Sequence, residues 1–356
     1  MENNHIRITA YAVPTKPVIL KLMSDTERLA NLTAWTKAQL KHADISLQRA
    51  SSDASFRSYW RVHVNKQTYI VMDAPPDKED LHGWLDIATR LRAAKLHAPE
   101  IFAQDLRQGF LLLSDLGTRT YLPELLRESV AALYADALNA LFVMQTEVKT
   151  HGLAHYDKQK LVAEMELFPT WFLGRHFNYT PTCNEWDIIE AAFRLLLNSA
   201  ETQPQVFVHR DYHSRNLLIT EHNNPGIIDF QDAVIGPVTY DLVSLLRDCY
   251  IAWPEAEVHE WVREYRQRLV HAGITHASEQ QFQRWFDWMG LQRHIKVLGI
   301  FCRLWYRDGK VGYLADLPLV LHYVISVGKR YPEFAEFIAF VERITAGRDL
   351  TQTLVA

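Results

Sequence analysis

Asp211, Asn216 and Asp229 have the residue types and the spacing of a phosphoryl-transfer site. Asp211 follows His209-Arg210, Asn216 comes five positions later, and Asp229 thirteen after that, inside Ile228-Asp-Phe-Gln231. Moving a phosphoryl group to an alcohol needs a carboxylate that accepts the hydroxyl proton. It also needs hard oxygen ligands that hold Mg²⁺ against phosphate oxygens. Asp211 suits the first task and touches the acceptor in doing it. Asn216 and Asp229 suit the second. The three must converge, and the apolar runs at 206–208, 217–219 and 226–228 read as short strands that bring them together.

Neighbouring residues fill in the site. His209 and His213 are four apart, but Arg210 stands where a zinc-binding helix carries glutamate, and a strand precedes it. His209 therefore reads as a packed residue orienting the loop. His213 is expected either against the substrate or in a structural role. Ser51-Ser-Asp-Ala-Ser-Phe-Arg57 is the candidate phosphate loop, with Ser52, Asp53, Ala54 and Ser55 small enough for backbone N–H groups to approach phosphates. It has no glycine, and neither GxxxxGK[ST] nor GxGxxG occurs in the chain, which speaks against P-loop and Rossmann sites. Asp241 opens an apolar helix, as a helix-start residue that also suits bracing the catalytic loop. In the helix over 292–307, Arg293, Lys296, Arg303 and Arg307 fall near one face. Such a stripe is either a solvated face or a means of recognising an anionic substrate.

The elements around these residues follow from periodicity. A helix is expected over 24–43, and then two strands joined by a loop at 50–55. A strand over 67–72 is ended by Pro75-Pro76. A helix follows at 78–95, with strands at 98–102 and 109–113. From about 118 the pattern is helical, over 134–147, 164–177, 187–200 and 240–347, interrupted by the strands at 206–231. The expected fold class is α+β, with two lobes: a small antiparallel β-sheet lobe at 24–113 and a mainly helical lobe at 118–356. Residues 114–117 form the hinge and 1–23 an N-terminal extension.

Composition narrows the class. Of 356 residues, 48% are hydrophobic and 22% charged, the balance of a globular protein with an ample core. The formal net charge of −4 gives no general attraction to nucleic acid or anionic membrane. Cys183, Cys249 and Cys302 form no CxxC and are expected as buried, reduced thiols. No apolar run is long enough to span a membrane, and 1–23 holds no signal-peptide core, so a cytoplasmic protein is expected. The expected partner is a small molecule, and the expected state a monomer or weak oligomer.

His209-Arg-Asp-Tyr-His-Ser-Arg-Asn216, Ile228-Asp-Phe-Gln-Asp-Ala233 and Gly236-Pro-Val-Thr-Tyr-Asp-Leu242 resemble the motifs of the aminoglycoside phosphotransferase family, enzymes with a protein-kinase-like fold. Four further stretches resemble those of bacterial amino-sugar kinases of that family: Asp53-Ala-Ser-Phe-Arg57, Val71-Met-Asp-Ala-Pro-Pro76, Leu242-Val-Ser-Leu-Leu-Arg-Asp-Cys-Tyr250 and the helix over 292–310. The resemblance implies ATP and Mg²⁺, and transfer to the C1 hydroxyl of N-acetylmuramate or N-acetylglucosamine in cell-wall recycling. It implies adenine contacts from Asp115 and Leu116. Substrate contacts are expected from His213, Gln231, Asp232 and one of Arg303 or Arg307. An aminoglycoside or choline-like acceptor is one alternative, and a regulatory nucleotide-binding pseudokinase another. One departure stands out: Met72 occupies the strand position where kinases carry a phosphate-binding lysine. Arg57 is the expected substitute.

Overall fold

Alternation of apolar residues along the early strands gives two buried faces, and each finds its own partner. In this computed structural model, which describes residues 25–52 and 56–353, the strands pair as one antiparallel sheet of order β1-β2-β3-β5-β4. The chain runs α1 (Asp25–Leu40), β1 (Gln48–Ser52), β2 (Ser58–Val64), β3 (Gln67–Asp73), α2 (Leu81–Ala93), β4 (Ile101–Asp105) and β5 (Phe110–Ser114). Val62, Val71, Phe110 and Leu112 pack on Leu32 of α1. Their neighbours Met72, Leu111 and Leu113 face the other way, into a core shared with Trp84 and Leu91 of α2 and with the helices beyond. This is the period-two division of a strand that is buried on both sides.

Boundaries differ from expectation for local reasons. β1 continues through Ser52, because a register shift between Arg49 and Ser51 lets the strand keep its pairing with β2. The strand expected at 98–102 begins instead at Ile101, since Pro99 has no N–H to donate and Ala98 closes a turn onto Leu96. α2 starts at Leu81, where the Asp80 side chain accepts the His82 N–H at 2.9 Å.

The rest is helical around two small hairpins. α3 (Val130–Glu147) and α4 (Lys158–Met165) lead to a π-helical segment, Phe168–His176, and then α5 (Cys183–Glu201). The single helix expected over 164–177 is thus broken after α4. β6 (Gln205–Val208) pairs with β9 (Val234–Pro237), and β7 (Leu217–Leu218) with β8 (Gly226–Ile227). Then come α6 (Tyr240–Leu246), α7 (Glu255–His271), α8 (Glu279–Tyr306), α9 (Leu317–Gly328) and α10 (Ala335–Thr345).

α8 runs through the middle of this half, buried almost continuously from Trp285 to Cys302. Its close seat depends on Gly299. A Cβ there would stand 2.3 Å from the backbone carbon of Leu167, where the π-helical segment begins. The basic stripe is therefore not a solvated face at Arg293 and Lys296, which are only 4% and 5% exposed. Cys249 and Cys302 are buried as expected, whereas Cys183, at the first turn of α5, is exposed. Among the described residues no helix is long and apolar enough to cross a membrane.

Candidate active site

The loop after β6 is held by three side chains that themselves do no chemistry. Asp241, at the start of α6, accepts the backbone N–H of His209 at 2.6 Å and of Arg210 at 3.0 Å. This holds Arg210 at φ 78°, a left-handed conformation that is uncommon for a non-glycine residue. Burial pushes the Asp241 carboxyl up to about 7, against the pull of those two N–H groups. Just beyond the end of α6, Asp248 accepts the N–H of Ser214 at 3.0 Å and its hydroxyl at 2.5 Å.

His209 ties the loop to the next hairpin. Its Nδ1 accepts the Asp211 N–H at 3.3 Å and its Nε2 donates to the Ile228 carbonyl at 3.1 Å. That pattern requires the neutral ring, and burial lowers its pKa to about 4. With both nitrogens so engaged, His209 has no lone pair left for zinc.

The three residues expected to do the chemistry, Asp211, Asn216 and Asp229, meet at the end of this frame. Asn216 Nδ2 donates to the Asp211 carbonyl at 3.0 Å and to Asp229 Oδ2 at 3.3 Å. The Asn216 amide oxygen is thus left as an acceptor beside a carboxylate. Asp229 sits at φ 63°, and its Oδ1 accepts Gln231 Nε2 at 2.9 Å. An amide oxygen and a carboxylate suit Mg²⁺ completed by phosphate oxygens and water. Among the described residues no group of three or more His, Cys, Asp or Glu is placed to hold a metal by itself.

Two cavities flank these residues. A cleft of about 390 Å³ lies under the sheet, lined by Ile70, Trp84, Leu113, Leu116, Asn216 and Asp229. A second, of about 500 Å³, lies against α8 and is lined by Asp211, His213, Asn216, Asp229, Arg293 and Lys296. Asn216 and Asp229 face both. The second cavity is strongly cationic. Glu164 of α4 binds Arg210 at 2.5 Å and Lys296 at 2.9 Å, and the Tyr156 hydroxyl donates to it. Lys296 also donates to the Tyr240 hydroxyl at 3.0 Å, and Arg293 lies 3.4 Å from the Arg210 carbonyl. Burial opposes the charge on Asp211, but Lys296, Arg293, His213 and Arg210 outweigh it and hold the carboxyl below its ordinary range.

The remaining expected site residues divide. Asp115 and Leu116 line the cleft under the sheet, with the Asp115 carboxylate clamped by Arg61 at 2.6 and 3.0 Å. His213 and Arg303 line the cationic cavity, and Arg303 Nε is buried there without a hydrogen-bond partner. Gln231 and Asp232 do not line it. Gln231 is turned onto Asp229, and Asp232 is 61% exposed. Arg307 lies outside as well, one turn beyond Arg303 and paired with Asp308 at 2.7 Å on the surface. Arg57 is not among the residues lining the cleft. Asp53, Ala54 and Ser55 lie outside the described residues, and of Ser52 only the backbone is described, as the end of β1.

Sequence reasoning missed Glu164, Asp248 and Arg215. For Asp248 a signal existed: it lies in the stretch Leu242–Tyr250 that carries the resemblance. Glu164 and Arg215 carry no local signal, since their partners are distant in sequence.

Comparison with known proteins bears on the whole chain. A model of the phosphotransferase enzyme family matches residues 46–280. An N-acetylmuramate/N-acetylglucosamine kinase of Pseudomonas putida is 43% identical over 331 residues, 90% of this chain and 97% of its own. One of Pseudomonas aeruginosa is 42% identical over 341 residues, 92% of this chain and 100% of its own. Among solved structures, an ADP-bound aminoglycoside phosphotransferase superposes with a TM-score of 0.55 at 17% identity, covering 83% of this chain and 97% of that one. That similarity establishes the fold, a two-lobed kinase-like α+β architecture.

Proposed function

The chain belongs to the phosphotransferase enzyme family, and from that premise we propose that it is an ATP-dependent sugar kinase acting on the C1 hydroxyl of N-acetylmuramate and N-acetylglucosamine. The observation that carries the reading is the pair of cavities meeting at Asn216 and Asp229, with Asp211 on the acceptor side only. On this reading residues 24–113 form the nucleotide lobe, 114–117 the hinge and 118–356 the lobe of the acceptor. Leu116 offers hinge backbone to the adenine.

The sugar lies in the cationic cavity with C1–OH at Asp211. The hydroxyl oxygen bonds to the γ-phosphorus as the bond from phosphorus to the β,γ-bridging oxygen breaks, leaving ADP. The hydroxyl proton passes to Asp211. A carboxylate held below its ordinary pKa is a weak base for a free alcohol. It takes the proton late, once P–O bond formation has made the hydroxyl acidic, as a loose transition state permits. Asn216 and Asp229 would hold Mg²⁺, which supplies charge neutralisation at the phosphates. The cations around Glu164 favour an acidic sugar over a polycationic aminoglycoside or choline. Arg303, with its buried unpartnered Nε, suits the lactyl carboxylate of N-acetylmuramate. The reading places the enzyme in the cytoplasm, where ATP is supplied.

The test is an ATP-consumption screen over amino sugars, aminoglycosides and choline, followed by ³¹P and ¹³C NMR of the product. Phosphate on C1 of N-acetylmuramate or N-acetylglucosamine is the expected result. Transfer to none of them with ATP still bound would favour a regulatory nucleotide-binding protein. Transfer to another oxygen would remove the anomeric assignment.

A further inference from the structure

In kinases a strand lysine, held by a helix glutamate, grips the nucleotide phosphates. Here that position is Met72, fully buried, and it shares an apolar cluster with Trp84 of the neighbouring helix. The lysine position has become hydrophobic, and the phosphates need a cation from elsewhere. We propose that Arg215 is a phosphate-site cation working from the other side, not on the α- and β-phosphates that the strand lysine pairs but on the γ-phosphoryl group, which it holds from the acceptor side as it is transferred. The proposal rests on the phosphotransfer reading above.

The geometry narrows the choice. Among the described residues, Arg215 is the cationic side chain that lines both cavities. The other cations near the site are either committed or, like Arg303, confined to the acceptor cavity. Arg61 is spent on Asp115 and the Gly117 carbonyl at the hinge. Arg210 and Lys296 are bound to Glu164, and Arg293 is packed against Tyr240 at 5.6 Å. Arg215 is held more loosely. Its guanidinium lies 3.5 Å from the centroid of the Tyr250 ring, and its nearest carboxylate, Asp316, is 3.7 Å away. Its side chain is 42% exposed. A stacked arginine with its planar N–H fork still accessible is ready for bidentate contact with phosphate oxygens. It directly precedes Asn216, so the cation and the amide oxygen reach the phosphates from one rigid turn.

The role has a distinct energetic signature. The γ-phosphoryl bears the added charge of ATP over ADP, so a residue gripping it strengthens ATP binding and leaves ADP binding nearly unchanged. In the transition state that group carries its charge on equatorial oxygens, and the same contact raises kcat.

The experiment is calorimetric titration of wild-type protein, Arg215→Ala and Arg215→Lys with Mg²⁺-AMP-PNP and Mg²⁺-ADP, alongside steady-state turnover. Arg215→Ala is expected to weaken AMP-PNP at least tenfold and ADP less than threefold, and to lower kcat at least a hundredfold. Arg215→Lys should recover part of both, and an unchanged melting temperature would exclude misfolding. Equal losses for the two nucleotides, or no loss, would overturn the assignment. The same AMP-PNP-selective loss in Arg57→Ala but not in Arg215→Ala would give the role to Arg57. If wild-type protein phosphorylates no sugar, the function reading fails, and the nucleotide titrations alone still decide Arg215.

Discussion

Asp241→Asn separates the work of the loop brace from the stability of the fold. The carboxylate accepts two backbone N–H groups, at 2.6 and 3.0 Å. The amide offers one oxygen and turns an NH₂ toward the other donor, leaving a buried N–H unpaired at about 1–3 kcal/mol. Against this, the substitution removes a buried charge. A carboxyl raised from 3.8 to about 7 is disfavoured in its ionised form by about 4 kcal/mol, at about 1.4 kcal/mol per pH unit. The gain outweighs the loss at pH 8, so the variant should be more stable than wild type by about 1–3 kcal/mol. Activity has no such compensation. Once Arg210 N–H is released, nothing holds its left-handed turn, Asp211 shifts, and kcat should fall about 100-fold. The pH dependence sharpens the test. The folded pKa is raised, so this group's contribution to stability is full below pH 3.8 and is lost as pH rises through about 7. Activity moves the other way, because only the ionised form holds both N–H groups. Wild-type kcat should show an acid limb near pH 7, which Asp211, held below its ordinary range, is unable to give. Urea denaturation and initial rates between pH 5 and 9 measure both. An Asn variant with wild-type kcat, or one that keeps the acid limb, would refute the reasoning.

Other expectations concern single contacts. Asp211→Asn should abolish turnover while ATP affinity measured by calorimetry changes little, and a variant retaining full activity would end the assignment of Asp211 as proton acceptor. Arg303→Ala should lower kcat/KM for N-acetylmuramate by about 10- to 100-fold, the worth of one charge-assisted contact, and leave N-acetylglucosamine within about threefold. Equal losses on both sugars would take Arg303 off the carboxylate. Gly299→Ala should destabilise the fold by about 1–3 kcal/mol in thermal or urea denaturation, because a Cβ would meet the Leu167 backbone at 2.3 Å. A neutral result would show that α8 can move away freely.

The parts of this site that depend on local sequence were legible before the structure. Asp211, Asn216 and Asp229 are fixed by a short loop between short strands, so spacing alone implied their convergence. The α+β division was legible in the same way, since the period-two runs before about residue 118 group into one sheet and the pattern beyond it is mainly helical around the short strands at 205–237. What depends on long-range packing was not. Arg293 and Lys296 look like a solvated stripe because periodicity reports a face, not what covers it, and Glu164 lies far away in the chain. The break after α4 was invisible because the apolar pattern of 164–177 continues through the π-helical turn. Arg307 shares its face with Arg303, and only the end of α8 decides that one points into the cavity and the other to solvent.

The apolar replacement at Met72 also bears on control. Kinases that regulate themselves swing a helix so that its glutamate leaves the strand lysine, and the broken ion pair is readily hydrated. Here α2 meets the sheet through Trp84, Ile87, Ala88 and Leu91, all buried. Swinging it outward would wet the Trp84 ring alone over about 200 Å², roughly 5 kcal/mol at about 25 cal/mol per Å². A helix seated this way is a fixed wall and not a lever. Flux through such an enzyme follows the concentrations of sugar and nucleotide, and any throttle must act at their supply or at the removal of the sugar phosphate.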